Sequence, residues 1–258
     1  MFKNNKPVFE AGKILKIEML EELRDYTRDY LDILYKDYTD GIIKGCTITI
    51  DDNNIYVSDG IIKYNNRIYM LKGIEKFSYV SNNIYIMLKV RFKEAIEEEG
   101  FCIYSSELVL DENLNLAINE MEICRFKLRE GARLRNEHID FTDLSTEFDT
   151  VNIIHSIYSG RGESTLSPMI TRYFGRELFD TNLENPLDIN FAMMCMQSAE
   201  PISREIIMKY IRSKIDIADR YFSNMEIYNY LLQILNTAKN GGDSRGNSRG
   251  RHRKILLD

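Results

Sequence analysis

The spacing of apolar and polar positions divides the chain into stretches of different period. From about Ile14 to Tyr38, Leu20, Leu23, Thr27, Tyr30, Leu31, Leu34 and Tyr38 recur at i, i+3, i+4 and i+7, the period of one helical face. Glu21, Arg24, Asp25, Arg28, Asp29, Asp32 and Lys36 occupy the other faces. The spacing predicts a helix about 35 Å long at ~1.5 Å per residue, with Gly41 as its C′ cap. The stripe is narrow and heptad-like, and suits packing on another element or on a copy of the same chain. Ahead of it, Met1–Gly12 reads as extended, with Pro7 opposing helix.

From Gly41 the period falls to two. Cys46, Ile48 and Ile50 alternate with Thr47 and Thr49, then Asp51-Asp52-Asn53-Asn54 turns into Ile55-Tyr56-Val57, a strand–turn–strand pattern. Ser58-Asp59-Gly60 turns again into Ile61–Tyr64, and Asn65-Asn66 closes a hairpin onto Arg67–Leu71, since Asn accepts the positive φ of a type I′ turn. Further strands are expected over Lys76–Val80, Ile84–Phe92, Phe101–Leu110 and Met121–Leu128. The run Glu94–Gly100 reads as an acidic loop projecting into solvent. Short strands at this spacing indicate a small sandwich or barrel.

Beyond Arg129 the alternation lapses into a polar linker, with a short helix expected around Val151, Ile154, Ile157 and Tyr158 and a flexible Ser159–Thr165 connector. Ser167-Pro168 and Asn185-Pro186 each pair an N-cap with proline at the first helical position. Ile206, Ile207, Tyr210, Ile211, Ile215, Ala218 and Phe222 form one helical stripe, and Ser223–Glu226 is a capping box opening a last helix that stops at Gly241-Gly242. The expected fold is α+β: an N-terminal arm and long helix (1–40), a small antiparallel β-sandwich or barrel (41–130), a linker with a short helix (131–166), a helical domain (167–240) and a flexible basic tail with an apolar end (241–258).

Composition narrows the picture. With 44 % hydrophobic and 29 % charged residues the 258-residue chain has ordinary globular usage. The net charge of −6 is uneven: from Lys239 onward six Lys/Arg face two Asp, a local +4 that leaves −10 for the rest. That balance argues against nucleic acid as the main partner. The tail also lacks aromatics to stack on bases, and its closing Ile255-Leu256-Leu257 suits a protein surface, in its own or a neighbouring subunit. The four cysteines contain no CxxC pair and only three histidines accompany them, so zinc-ligand spacing is missing and buried reduced thiols are expected. No apolar run approaches the ~20 residues of a membrane span. The first residues lack the apolar core of a signal peptide, which implies synthesis in the cytoplasm.

No candidate chemistry rises above a structural explanation. Gly160–Thr165 lacks the lysine and feeding strand of a phosphate loop. His155-Ser156 lacks a nucleophile elbow, and His155 reads as a helix histidine. Glu97–Glu99 reads as a solvated turn rather than a pair of catalytic carboxylates. Asp51–Asn54 lacks calcium-loop spacing, and Met193, Met194 and Met196 read as core filler. The expectation is a non-enzyme without metal, cofactor or small-molecule ligand.

Two stretches carry a resemblance. Phe9-Glu10-Ala11-Gly12-Lys13 with its following helix, then GIIKGCTITI, IYVSDG and IIKYNNRIYML, resembles a pattern of tail and baseplate proteins of phages and prophages: a long helix leading to G-I-(I/V)-x-G, a strand, V-x-x-G and x-x-G-R-x-I-x-L. Asn66 stands where the pattern has its last glycine. FDTVNIIHSIYSGRGESTLSPMITRYF, Phe148–Phe174, resembles the linker and first helix of the second half of such proteins. The resemblance implies a structural part of a contractile-tail baseplate, of a phage or a phage-tail-like bacteriocin, assembled into a particle released by lysis. Its partners would be other baseplate or tail subunits and copies of itself. The candidate contacts are Leu20, Leu23, Tyr30, Leu31 and Leu34 on the helix, and Arg249, Arg251, Arg253, Ile255, Leu256 and Leu257 in the tail. The alternative is a receptor- or glycan-binding tail-fibre module, with Tyr56, Tyr64, Tyr69, Tyr79 and Tyr85 as its exposed aromatics.

Overall fold

The computed structural model describes residues 3–243. The fold is α+β, as the periodicities predict. Helix α1 spans Ile17–Leu34 and is shorter than its stripe suggests at both ends. Lys16 offers no side-chain cap, and the helix closes with the Tyr35 N–H on the Leu31 carbonyl at 3.0 Å. Gly41 is not its cap. It opens strand β1 (Gly41–Gly45), where a Cβ would lie 2.6 Å from the Ser159 backbone nitrogen.

Ten more strands follow: β2 (Ile48–Ile50), β3 (Asn54–Val57), β4 (Gly60–Tyr64), β5 (Arg67–Leu71), β6 (Glu75–Ser78), β7 (Tyr85–Phe92), β8 (Ile96–Glu98), β9 (Phe101–Ile103), β10 (Ser106–Asp111) and β11 (Glu120–Lys127). They form three antiparallel three-stranded sheets, ordered β1-β4-β5, β2-β3-β6 and β10-β7-β11, plus the β8–β9 hairpin. No barrel closes among the described residues. The sheets share one core, in which Ile42, Ile55, Val57, Leu88, Val90 and Phe126 are buried. Asn65 and Asn66 take φ of 48° and 58°, the pair of left-handed residues that a type I′ hairpin requires. At the β1–β2 corner Gly45 has φ 73°, and a Cβ there would sit 2.1 Å from the Asp59 carbonyl oxygen; only glycine fits.

Residues 94–100 correct the expected acidic loop. Ile96, Glu97 and Glu98 pair with Ile103, Cys102 and Phe101, and the turn between them uses Gly100 at φ 79°. The linker expectation also changes. No helix forms at Val151–Tyr158; the stretch is irregular, with a turn at Ile154-His155, and bridges Arg125, Ile42 and Thr165 through Asn152 and Tyr158. The reason lies in its side chains. Val151 is buried in the β core, Ile154 in the helical core, and Ile153 packs against both. A short helix offers one apolar face, whereas an irregular chain that turns at Ile154-His155 can send Val151 and Ile154 into different cores. A 3₁₀ turn, Thr142–Ser145, does interrupt this segment. Ser159–Thr165 is likewise held rather than free: Thr39 N–H donates to the Gly160 carbonyl at 2.9 Å, and Tyr158 and Thr165 exchange backbone bonds of 3.1 and 2.8 Å.

The C-terminal helices are α2 (Pro168–Phe179), α3 (Pro186–Gln197), α4 (Arg204–Lys214) and α5 (Asn224–Asp243). Their starts follow the local chemistry. Ser167 Oγ accepts from the Met169 N–H at 3.3 Å and Asn185 Oδ1 from the Leu187 N–H at 2.9 Å. In the capping box, Ser223 N–H donates to Glu226 Oε2 at 2.8 Å and Glu226 N–H to Ser223 Oγ at 3.3 Å. Two ends differ from expectation: α4 stops at Lys214, so Ile215, Ala218 and Phe222 lie beyond it, and α5 runs through Gly241 and Gly242. The helical core is aromatic, with Phe191 stacked on Tyr210 at 3.9 Å and Phe141 on Tyr228 at 4.7 Å. Met193, Met194 and Met196 are not core filler. They are exposed on α3, whose inward residues are Phe191, Ala192 and Cys195.

Candidate assembly interface

α1 has no buried residue. Leu20, Leu23, Tyr30 and Leu34 are each about half exposed, from 47 % to 58 %, and Leu31 is half-buried. Ile17 and Ile33, outside the expected stripe, are more exposed still. Upstream, Val8, Phe9, Ile14 and Leu15 are exposed as well. The tail residues expected to make partner contacts (Arg249, Arg251, Arg253, Ile255, Leu256 and Leu257) lie outside the described residues.

The helix is fixed to the body at its C-terminal end. Lys63, on β4 and only 4 % exposed, donates from Nζ to the carbonyls of Tyr35 and Tyr38, both at 2.6 Å, and of Lys36 at 3.3 Å. These carbonyls belong to the C-cap residue Tyr35 and to the turn just beyond the helix, where an ammonium also meets the negative end of the helix dipole. Thr39 N–H on Gly160 and Ser159 Oγ–H on the Thr39 carbonyl, at 2.5 Å, continue the attachment. Lysine is thus used here as a structural donor, which the sequence signals only as a lone charge inside the apolar run Ile61-Ile62-Lys63-Tyr64.

Inside the body, charge is spent on internal bonds. On β7, Lys89 (1 % exposed) bridges Asp111 Oδ2 at 2.7 Å and Glu120 Oε2 at 2.9 Å, while Arg91 Nε holds Glu120 Oε1 at 2.8 Å. Glu122, equally buried, accepts two bonds from Arg125 at 2.5 and 2.6 Å. Arg135 grips Asp143 with bonds of 2.5 and 2.6 Å and holds that carboxyl well below the ordinary range. Buried Arg204 reaches the carbonyls of Ser164 and Phe222 and Asn224 Oδ1, tying the 159–165 segment to the start of α5. None of these links was predicted, because every partner is distant in sequence or hidden in an ordinary strand pattern.

The positions tested for chemistry have local roles. Asp51 Oδ1 accepts from the backbone of Asn53 and Asn54 at 3.1 and 2.9 Å, and Oδ2 from the Tyr56 hydroxyl at 2.5 Å; these bonds depress its pKa to about 2. The carboxylate is saturated by its own turn. Among the described residues no group of three His, Cys, Asp or Glu is placed to hold a metal. His155-Ser156 is not on a helix, and buried Ser156 donates to the Ile153 carbonyl at 2.7 Å. Cys46, Cys124 and Cys195 are buried free thiols raised by burial, Cys46 to about 11 and Cys195 to about 12; Cys102 is exposed. No described helix is long and apolar enough to cross a membrane. The five tyrosines expected to face a glycan are all half-buried. Tyr64 stacks on Phe92 at 3.8 Å, Tyr69 meets the same ring edge-on, and Tyr79 packs against Phe126.

No family model matches the chain, and no curated protein is similar to it. Among solved structures, it is similar to TssK in a crystal structure, at 8 % identity and a TM-score of 0.38, over 92 % of this chain and 69 % of that one. A chain of the type VI secretion system TssK-TssF-TssG baseplate subcomplex is similar at 10 % identity and a TM-score of 0.40, over 92 % of this chain and all of that one (100 %). A chain of the type VI secretion baseplate complex is similar at 12 % identity and a TM-score of 0.29, over 95 % of this chain and 56 % of that one. These weak structural neighbours are type VI secretion baseplate proteins, and likenesses of this size do not establish a shared fold.

Proposed function

We propose that the chain is a non-enzymatic structural component of a contractile-tail baseplate, of a phage or phage-tail-like particle, and that it connects subunits during assembly. The observation that carries the reading is α1: an ordered helix with an apolar face left open to solvent, tied to a body that satisfies its own charges. An isolated helix of this length is marginal in water, and a contiguous exposed apolar face is the mark of an interaction surface. The body supplies a rigid mount for it. Further support comes from the Gly41–Leu71 and Phe148–Phe174 stretches, which resemble phage tail and baseplate proteins. On this reading the protein is made in the cytoplasm, joins the particle there and leaves with it on lysis. The glycan-binding alternative has less support, since three of the five tyrosines it would use, Tyr64, Tyr69 and Tyr79, pack against the β core.

The test is genetic and compositional. Contractile particles purified from the producing cells should contain this chain at a fixed copy number, and cells lacking it should make none that contract. Complete, contracting particles without the chain would overturn the proposal.

A further inference from the structure

The placement of side chains around α1 identifies what covers it. With Leu20 at position a of a heptad, a and d are Leu20, Leu23, Thr27, Tyr30 and Leu34, the seam of a coiled coil. The flanking e and g positions are Ile17, Met19, Tyr26, Leu31 and Ile33, with Arg24 the one charge among them. Every remaining position is charged: Glu21 and Arg28 at b, Glu22 and Asp29 at c, and Glu18, Asp25 and Asp32 at f. Arg24 itself turns toward f and pairs with Asp25 at 2.6 Å.

We infer that α1 is one strand of a parallel bundle in which three or more copies of this chain are joined. The inference deepens the connector reading by naming the chain itself as partner of α1, and it holds whichever particle the connector serves.

Three features lead there. A two-stranded coiled coil covers a and d and leaves e and g to solvent, where charges normally sit. Here all the e and g positions but Arg24 are apolar, and Ile17 at 71 %, Tyr26 at 54 % and Ile33 at 74 % are exposed, so two strands would leave them wet and a larger bundle would bury them. Second, the charges select against a partner of other chemistry. A basic protein drawn to this acidic helix would meet its carboxylates on the side away from the apolar face, whereas identical copies bring apolar face to apolar face with every acid outside. Third, Lys63 fixes the C-terminal end of α1 to the β unit, and Thr39 fixes it to the 159–165 segment beside it. In a parallel bundle the bodies then gather at one end around a closed rotational symmetry, as a ring of more than two identical helices requires.

The experiment is the mass of the full chain in solution at micromolar concentration, by sedimentation equilibrium. Wild type should weigh three or more chains. Leu23→Glu with Tyr30→Glu, at exposed positions that leave the body's core untouched, should return the mass to one chain with unchanged circular dichroism of the β unit. Asp25→Lys with Asp32→Lys, on the outer face, should leave the oligomer intact. Leu20→Cys in a Cys102→Ser background should cross-link chain to chain on oxidation, because only a parallel, in-register bundle brings that position beside itself. A monomeric or dimeric wild type, an oligomer that survives the Leu23 and Tyr30 substitutions, or the absence of the Leu20→Cys cross-link would each overturn the inference. Particle composition is a separate readout: an α1 bundle absent from any contractile particle sinks the baseplate reading alone.

Discussion

Replacing Lys89 by methionine removes the ammonium from the centre of the β10-β7-β11 sheet while keeping the length of the side chain. Two effects oppose each other. The variant no longer has to bury a charge, but Glu120, whose side chain is 5 % exposed, loses one of its donors. Glu120 keeps Arg91 Nε at 2.8 Å and the Ala117 N–H at 3.1 Å. Asp111 is 29 % exposed, keeps the Asn113 N–H at 2.9 Å and can turn to water. Removing one member of a buried pair costs about 3–5 kcal/mol, and these surviving partners place Lys89→Met at about 3 kcal/mol, the low end of that range. Adding Glu120→Gln neutralises the stranded carboxylate, so the double variant should lose less than the sum of the singles, by about 1–2 kcal/mol. In urea, followed by circular dichroism, ~3 kcal/mol moves the midpoint by about 1 M at a slope of ~3 kcal/mol/M.

The pH dependence is fixed by the same geometry. The hydrogen bond from Lys89 lowers Asp111. Burial alone would raise Glu120, but hydrogen bonds from Lys89, Ala117 and Arg91 outweigh it and leave that carboxyl below its ordinary value. Burial alone would lower Lys89, but Asp111 and Glu120 outweigh it and leave the ammonium raised. The carboxylate contributions are therefore present above the unfolded values of about 3.9 and 4.3 and lost as pH falls through the folded ones. The lysine contribution is present below about 10.4 and lost as pH rises through its folded value. The gap between wild type and Lys89→Met should be level from about pH 5 to 10 and shrink on both sides. A loss under about 1 kcal/mol at pH 7, or strictly additive singles, would refute the coupling.

Lys63→Met should cost about 2 kcal/mol, the worth of a charged hydrogen bond at a site where water can reach the freed carbonyls; amide exchange should accelerate around Tyr35–Thr39 well before the β core, and uniform acceleration would show that the anchor is not local. Gly175→Ala puts a methyl 2.6 Å from Cys195 Cβ and 2.8 Å from the Ala192 carbonyl oxygen, so overpacking between α2 and α3 should cost about 1–3 kcal/mol, read as a lower melting temperature with the β unit's spectrum unchanged. Asp143→Asn should cost about 2 kcal/mol by weakening the grip of Arg135. Because the Asp143 carboxyl is depressed, chiefly by its hydrogen bond to Arg135, its stabilisation is lost as pH falls below the unfolded value, so the variant should also lack part of the wild type's acid transition.

What the sequence made legible was local. Ser167, Asn185 and the Ser223–Glu226 box mark helix starts through bonds to residues two or three positions away, and Asn65-Asn66 marks its hairpin through its own φ angles. The failures share one cause: a competing distant partner. Glu97–Glu99 read as a solvated turn, and all three acids are exposed with Glu99 in the turn, yet Glu97 and Glu98 are held in a strand by cross-strand pairing with Cys102 and Phe101. Met193, Met194 and Met196 sit on three faces of one helix turn, and α3 has only one neighbour-facing side, given to Phe191, Ala192 and Cys195. Val151–Tyr158 has apolar spacing that suits a helix, but two cores compete for its side chains, the β core for Val151 and Tyr158 and the helical core for Ile154. Lys63, Lys89 and Arg204 gave no signal because a buried cation is recognisable only from the oxygens around it.

The candidate interface was legible for the converse reason. A helix periodicity needs no tertiary partner to be visible, and α1 buries no residue against the described chain that would override it. The same stripe therefore appears in the sequence and on the surface, while the two ends of the helix shift wherever the body intervenes. At the C-terminal end the body intervenes through Lys63, which holds the turn after Leu34 that leads to β1. That junction makes the orientation of α1 a property of the β unit, since the lysine's own strand β4 pairs with β1 and β5. A flexible tether would let the helix meet a partner at any angle. A helix clamped at one end, with its charges segregated to the outer face, presents its apolar side in one direction, which is what a subunit of a symmetric assembly requires of its contact surface.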